Sequence, residues 1–471
     1  MTGVATELKP GGMGIPTLVF YVAYPTERYY EALNDIKKAR QSELEDTMQV
    51  VILKGKESEN KSDAEKKLFL RTLSESLIAN RYTFEKDFFS WYIKTASGAE
   101  EQISASSNHI VYGRRGSGKS TLLLYALHTI EMENRVSVWV DMQTYSQRED
   151  DAVIADVLCE ILEQSSVHLE GRHSEILKTL KLPDISLDAI RRQLPSIKNC
   201  LIPRLNGSFI FLDDFHVVEK RLQPLLLDAI YSIIRGSRIN IKISAIETFT
   251  TTYDANTREG MQLGHDIQRI SLDRNLTIPD KTSQHIISIL DSLARYCGIV
   301  SAKSLCGSAN VLNRLVWTTA GVPRDALSVF SQALGQSKET VTVSDINSAA
   351  LSLRSSKQKD MENDTSGSFE ELNALIEKIR NFCFQNEKNA FLVRKEESQP
   401  GIMRLVDLRL LHIIHEGFTP HKAGEQYMAI MLDYGFYVSE RISSRIKEFN
   451  PKLEKIETKE LRGLPAFQIP K

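Results

Sequence analysis

The stretch GRRGSGKST, Gly113–Thr121, decides the fold of this chain. It directly follows a short apolar run, HIVY at His109–Tyr112, and it opens STLLLYALHTIEM, whose apolar residues recur at helical spacing. Glycines at these positions let the backbone curl so that successive N–H groups point inward, and the start of the helix adds positive potential. The result is a cradle for phosphate oxygens between a strand and a helix. Gly113, Arg114, Arg115, Gly116, Ser117, Gly118, Lys119, Ser120 and Thr121 are the expected contacts to a nucleotide. Lys119 is placed to reach the terminal phosphates, and the Ser120 hydroxyl to ligate Mg²⁺.

The strand–helix alternation extends outward from this loop. VSVWVDM (Val136–Met142), SFIFLDD (Ser208–Asp214), INIKISAIE (Ile239–Glu247) and DIQRISL (Asp266–Leu272) read as strands. DAVIADVLCEILEQ (Asp151–Gln164) and LQPLLLDAIYSII (Leu222–Ile234) read as helices. Near-continuous apolar strands separated by helices predict an α/β fold, a parallel sheet covered on both faces. In FIFLDD (Phe209–Asp214) the apolar run ends in two acids, which places carboxylates at the C-terminal end of a strand, where open α/β sheets bind ligands. Asp213 is the expected partner of Mg²⁺, directly or through water. Asp214 is expected to orient or activate an attacking water. No N/T-K-x-D pattern for reading guanine is evident, so ATP is the expected nucleotide.

Composition sets the outer bounds. The 471 residues allow about two to four domains. Apolar residues make up 42% and charged residues 25%, which excludes a mostly disordered, collagen-like or disulfide-scaffold chain. The net charge of −2 supplies no global basic field for nucleic acid, although a local basic face stays open. Cys159, Cys200, Cys297, Cys306 and Cys383 form no C-x-x-C pair, so reduced thiols and a cytoplasmic setting are expected. Neither a signal peptide nor an apolar run of about 18 residues is present, so no membrane span is expected. There is no nuclease-type carboxylate cluster and no helicase motif series.

Residues 1–85 read as a mixed N-terminal extension of undefined role, with a strand in TLVFYVAY (Thr17–Tyr24) and a helix over Ser62–Tyr82. Residues 86–278 are the expected nucleotide core and 279–352 a helical lid. The polar run LRSSKQKDMENDTSGS (Leu353–Ser368) reads as a linker. Residues 369–471 form a third unit: a helix in FEELNALIEKIRNFCF, a strand in AFLVRKE, a helix in MRLVDLRLLHIIHEG and another in FTPHKAGEQYMAIMLDYG, with Thr419 as N-cap and Pro420 at the first helical position. That order suits a winged helix, with Pro420–Gly435 as the helix offered to a DNA groove and His421, Lys422, Glu425 and Gln426 at its start. Downstream basic residues alternate with glutamates, so DNA contact and protein docking both stay open. His412, His415 and His421 lack a carboxylate or cysteine at matching spacing and are expected to be structural rather than metal ligands.

Within the lid stands AGVPRDAL (Ala320–Leu327). Together with the phosphate loop and the paired acids, it resembles the sensor-2 motif of AAA+ proteins, P-loop NTPases of the additional-strand class. The resemblance falls on Gly321 and Arg324 and implies that Arg324 touches the γ-phosphate. The sequence of core, lid and C-terminal winged helix is similar to that of initiator-type, origin-recognition-like AAA+ ATPases. ISAIETFTTTYD (Ile243–Asp254), GMQLGHDIQRISLD (Gly260–Asp273) and LRLLHIIHEGFTPHKAGEQYMAIMLDYGF (Leu408–Phe436) resemble bacterial proteins of this type, many of them accessory to mobile elements or antiphage defence.

The resemblance implies ATP and Mg²⁺ as cofactors, and a homo-oligomer whose nucleotide state controls assembly on double-stranded DNA or with a partner effector. It also implies a small polar residue after Ile239–Ile246 that touches the attacking water, for which Thr248 is preferred to Glu247. An arginine acting across a subunit interface is implied before the last strand, and Arg258 is the candidate. Asp214 stands where such proteins usually have Glu, which implies slow turnover. The STAND class of signal-transducing NTPases is also similar. It shares the paired acids and a G-x-P motif in the lid, here Gly321–Pro323, with Pro323 against adenine. That second resemblance implies a nucleotide-gated switch or scaffold with little turnover and no DNA binding.

Overall fold

The computed structural model describes residues 5–10, 16–22, 30–35, 49–54, 59–82, 87–95, 97–146, 148–165, 172–182, 185–272, 276, 279–364, 368–395, 400–419, 425–438, 446–448, 456 and 458–468. Strands β1 (Ala5–Pro10), β2 (Pro16–Val22) and β3 (Gln49–Lys54) form a small sheet in which β1 pairs antiparallel and β3 parallel with β2. Helix α1 (Glu59–Ser76) then buries Phe69 and Leu73, and Phe69 meets Phe330 edge-on at 6.3 Å. This half of the N-terminal extension is part of the packed body, against the lid.

The core runs β4 (His109–Tyr112), α2 (Lys119–Met132), β5 (Val138–Asp141), α3 (Ala152–Gln164), α4 (Leu187–Leu205), β6 (Phe209–Asp213), α5 (Leu222–Ile234), β7 (Asn240–Ala245), the short hairpin β8 (Tyr253–Asp254) and β9 (Glu259–Gly260), then β10 (Gln268–Ser271). Five of these strands make one sheet in the order β10-β4-β7-β6-β5, and every neighbouring pair is parallel. Alternate residues enter two separate apolar cores. Val111, Trp139, Phe209 and Phe211 face one; Ile110, Val140, Ile210, Leu212 and Ile243 face the other. Burial on both faces is why the strands carry so few polar residues. Pro195 and Pro203 lie inside α4, against the usual helix rule, yet Ile190, Leu194, Ile197, Leu201 and Leu205 bury one face of it at helical spacing. The parallel sheet with helices on both faces and a glycine-rich loop between β4 and α2 is the AAA+-like fold of a P-loop NTPase.

The lid comprises α6 (Pro279–Tyr296), α7 (Asn310–Thr318), α8 (Pro323–Gln336) and α9 (Val343–Asp364). The run expected as a linker from Leu353 stays helical to Asp364, because Lys357 and Met361, one turn apart, are both buried. The C-terminal unit follows as α10 (Phe369–Gln385), β11 (Ala390–Arg394), α11 (Pro400–Asp407), β12 (Leu411–Phe418) and β13 (Tyr427–Leu432), with the strands antiparallel in the order β11-β13-β12.

Two further expectations are corrected in this unit. The helix expected through MRLVDLRLLHIIHEG stops at Asp407. Arg409 adopts φ +65° and turns the chain into β12. The second expected helix, Pro420–Gly435, is a strand over Tyr427–Leu432; residues 420–424, including His421 and Lys422, lie outside the described residues. β13 pairs on both sides and is buried from Met428 to Leu432. Short, fully buried apolar runs read alike as helix or strand until a pairing partner is known. Among the described residues, one helix separates β11 from β12, and no helix is long and apolar enough to cross a membrane. Lid and C-terminal unit share a continuous apolar core with α2 and one face of the parallel sheet.

Candidate nucleotide-binding site

Parallel strands all end on one side of their sheet, so β4, β6 and β7 deliver their last residues to a common edge. After β4 the chain turns through Gly116 (φ +73°) and Gly118 (φ +98°), conformations that favour glycine. Gly116 has a second reason to lack a side chain. A Cβ there would lie 2.7 Å from the Cβ of Arg324, whose backbone N–H donates to the Gly116 carbonyl at 3.2 Å. The lid therefore sits directly on the loop. Gly321 (φ +68°) makes that approach possible at the head of α8, where a Cβ would meet Thr282 Cγ2 at 2.1 Å.

Lys119 is 5% exposed and donates from Nζ to the carbonyls of Gly113 (3.0 Å) and Arg114 (3.2 Å). Ser120 Oγ donates to Asp213 Oδ1 at 2.9 Å. Ser244, at the end of β7, donates from Oγ to the same carboxylate oxygen and accepts the Asp214 backbone N–H at 2.8 Å. Asp214 sits in left-handed backbone (φ +54°), and its Oδ2 accepts from Gln143 Nε2 at 3.3 Å. The turn at Asp214 brings His216 back toward the loop, with Nδ1 at 4.0 Å from Asp214 Oδ1.

Arg115, Gly116, Gly118, Lys119, Ser120, Thr121, Asp214, Pro323 and Arg324 line one cavity of about 90 Å³ together with His216 and, from the N-terminal extension, Ser76, Leu77 and Ala79. An adjoining cavity of about 90 Å³ is more apolar and includes Ser117, Trp91, Tyr92, Leu124, Ile289, Pro323 and Leu327. The first offers cationic and N–H groups for phosphates. The second offers flat apolar walls for a base. The Ser120 hydroxyl and the Asp213 carboxylate are hard oxygen donors, which fits Mg²⁺. Among the described residues no group of three or more His, Cys, Asp and Glu is set to hold a metal, so further ligands would come from phosphate and water.

The electrostatics suit an anionic ligand. Burial, then the charge of Asp214, pushes the Asp213 carboxyl up to about 7, against the Ser244 and Ser120 hydrogen bonds. Burial also pushes Asp214 up, but the charges of Lys119 and Arg115 and the Gln143 amide hold Asp214 below the usual range. Burial, then the charge of Arg409, lowers Arg324. Burial holds His216 neutral, down to about 3.

Two residues expected at this site stand elsewhere. Thr248 does not line the cavity; its hydroxyl donates to Asp407 Oδ2 of the C-terminal unit at 2.5 Å. The polar side chain that β7 brings to the paired acids is Ser244. Arg258 is exposed at the turn of the β8–β9 hairpin, in left-handed backbone (φ +61°), away from this chain's own cavity. The sequence reading did not single out Ser244, Gln143 or His216. Ser244 carried a signal, as a hydroxyl in an otherwise apolar run, and so did His216, two residues after the acids. Gln143 carried none, since only strand pairing brings residue 143 beside residue 214.

The loop also touches the C-terminal unit. The Arg115 backbone N–H donates to the Asp407 carbonyl at 3.4 Å, and Arg114 Nη1 lies 3.4 Å from His412 Nδ1. Arg115 lies 3.8 Å from Asp360 of α9. Behind these contacts is a buried charge cluster. Arg409 bridges Asp325 and Asp360, Lys357 bridges Asp433 (2.5 Å) and Asp325 (3.1 Å), and His412 Nε2 is 2.9 Å from Asp433.

No protein-family model matches the chain, and no curated protein is similar to it in sequence. Among solved structures, the Walker-type ATPase paby2304 of Pyrococcus abyssi is similar at 14% identity over 75% of this chain and 96% of that one, with a TM-score of 0.42. Drosophila ORC bound to DNA is similar at 14% identity over 88% and 98%, with a TM-score of 0.37. Cdc6p from Pyrobaculum aerophilum is similar at 12% identity over 80% and 97%, with a TM-score of 0.37.

Proposed function

We propose that this chain binds and hydrolyses ATP with Mg²⁺, and that its nucleotide state sets the position of the C-terminal unit and so its assembly with other macromolecules. The observation that carries the proposal is the contact of Arg114 and Arg115, inside the phosphate loop, with His412, Asp407 and Asp360. A ligand shifts a conformational equilibrium only through contacts that differ between two states. Phosphates entering the loop compete for Arg115, which lines the cavity, and that is such a difference. Lys119 and Arg324 take the terminal phosphates, Ser120 and Asp213 hold Mg²⁺, Asp214 faces the attacking water, and Pro323 lies against the base.

The partners we propose are a second copy of the chain and an effector protein or double-stranded DNA. A strand stands at Tyr427–Leu432 where a groove-entering helix was expected, which favours protein. The exposed Arg258 is available to a neighbouring copy. A defence or mobile-element setting is included in the proposal on the sequence resemblance alone. A specific observation also favours the second reading, a switch that holds nucleotide with little turnover: the C-terminal unit lies against the loop, and Asp214 is one methylene shorter than Glu.

ATP hydrolysis measured with and without double-stranded DNA, with particle mass by light scattering in ADP and in ATP, separates the two. Turnover with ATP-dependent growth in mass supports the assembling ATPase. Constant mass with retained nucleotide and no turnover supports the switch. Failure to bind nucleotide at all rejects both.

A further inference from the structure

The phosphate cavity contains one buried side chain that neither the motif nor the lid accounts for. The His216 side chain is 5% exposed, and neither of its ring nitrogens has a hydrogen-bond partner among the described residues. It lines the same cavity as Lys119, Ser120, Asp214 and Arg324. Buried polar groups without partners are rare in folded proteins and costly unless a ligand or water meets them. The backbone is committed to this placement, since the left-handed turn at Asp214 buries Phe215 in the core and returns the chain to the cavity two residues on, at His216. Nδ1 lies 4.0 Å from Asp214 Oδ1, too far for a direct hydrogen bond and within the span that one shared water closes.

We infer that His216 is a catalytic residue for nucleoside triphosphate hydrolysis, accepting one hydrogen bond of the attacking water through Nδ1 while Asp214 accepts the other. This rests on the ATPase reading above. With both hydrogens engaged, a lone pair of the water oxygen is aimed at the γ-phosphorus. The new P–O bond forms as the bond from the γ-phosphorus to the β,γ-bridging oxygen breaks, and that electron pair leaves with the diphosphate. One water hydrogen stays on the inorganic phosphate, and the other leaves as a proton through Asp214. His216 remains neutral throughout, which agrees with the burial that disfavours its charged form. A second acceptor also makes up for the short reach of Asp214.

The test uses the full chain and three variants, His216→Ala, His216→Asn and His216→Gln, with Lys119→Ala as reference. The asparagine amide can stand near Nδ1 and the glutamine amide near Nε2. Single-turnover hydrolysis by His216→Ala is expected to fall about 100-fold. Its ADP affinity is expected to stay within about threefold, and His216→Asn to recover more of the rate than His216→Gln. Independently of turnover, His216→Ala is expected to lose about tenfold or more of the preference for ADP with aluminium fluoride over ADP alone. Wild-type rate in His216→Ala beside an inactive Lys119→Ala overturns this inference and leaves the ATPase reading standing. Equal loss of ADP affinity, rate and melting temperature in all three variants also overturns it, as a role in folding. Wild-type rate in Lys119→Ala overturns the ATPase reading instead, and no turnover in the unmodified chain overturns both.

Discussion

Two buried charged clusters face each other across the phosphate loop, and they are built on opposite plans. On the nucleotide side, Lys119, Asp214 and Arg324 line a cavity, Asp213 stands behind Ser120, and His216 has no hydrogen-bond partner among the described residues. On the far side, Asp325, Lys357, Asp360, Arg409, His412 and Asp433 close on one another, each charge paired. The first cluster is arranged for an anionic ligand that brings its own charge. The second is held by ion pairs within the protein and joins lid, helix α9 and C-terminal unit. Both cost desolvation, and only the second recovers it without a ligand. Arg114 and Arg115 stand between the two.

The largest expected effect comes from breaking the closed cluster. Lys357→Met leaves Asp433 and Asp325 buried with one cation fewer and is expected to cost about 3–5 kcal/mol in urea or guanidinium unfolding. A loss below about 1 kcal/mol would mean that the cluster is wet in solution and does not hold the C-terminal unit. Lys119→Ala is expected to cost less than Lys357→Met in the ligand-free protein, where Lys119 Nζ donates to the backbone carbonyls of Gly113 and Arg114.

Acid sharpens the same contrast. Burial holds His412 down to about 4, below its ordinary 6.5, so the folded protein keeps it neutral while the unfolded chain takes up a proton first. Its contribution is present above about pH 6.5 and is lost as the pH falls through 4, up to about 3 kcal/mol. Asp433, held down to about 2 chiefly by Lys357 against the effect of burial, extends the loss at still lower pH. Stability against pH, measured by chemical denaturation, should show this slope, and His412→Gln should flatten it between pH 6.5 and 4. An unchanged slope would assign the acid sensitivity to other groups.

The smallest effect is expected where the lid meets the loop. Gly116→Ala forces a side chain into left-handed backbone and against Arg324 Cβ at 2.7 Å. A loss of about 1–2 kcal/mol is expected from the backbone alone, and weaker nucleotide binding should accompany it, since the lid must lift. Unaltered nucleotide affinity, measured by titration calorimetry, would show that the lid does not need to seat on the loop.

Legibility differs between regions for a physical reason. His109–Tyr112 and Leu222–Ile234 occupy in the structure the bounds that their patterns suggest. A parallel sheet buried on both faces writes itself as apolar runs, and a phosphate loop needs glycines at fixed spacing. LLHIIHEGF and YMAIML are apolar runs of another kind. Nothing local distinguishes a helix buried all round from a central strand, and the pairing with Ala390–Arg394 settles them as strands. The polar run from Leu353 looked like a linker because Lys357, Asp360 and their neighbours are charged. Only the presence of Asp325, Arg409 and Asp433 around them makes burial of that helix affordable.

By itself, then, the sequence determined the phosphate loop, the two acids at the end of Phe209–Asp213 and the alternation that makes the α/β core, because each depends on residues close along the chain. Tertiary structure alone decided that Ser244 rather than Thr248 attends those acids, that His216 returns to the cavity, and that the C-terminal unit bonds to Arg114 and Arg115. Each of these is a meeting of groups far apart in sequence, set by strand order and by the direction of a single left-handed turn, and no local pattern encodes such a meeting.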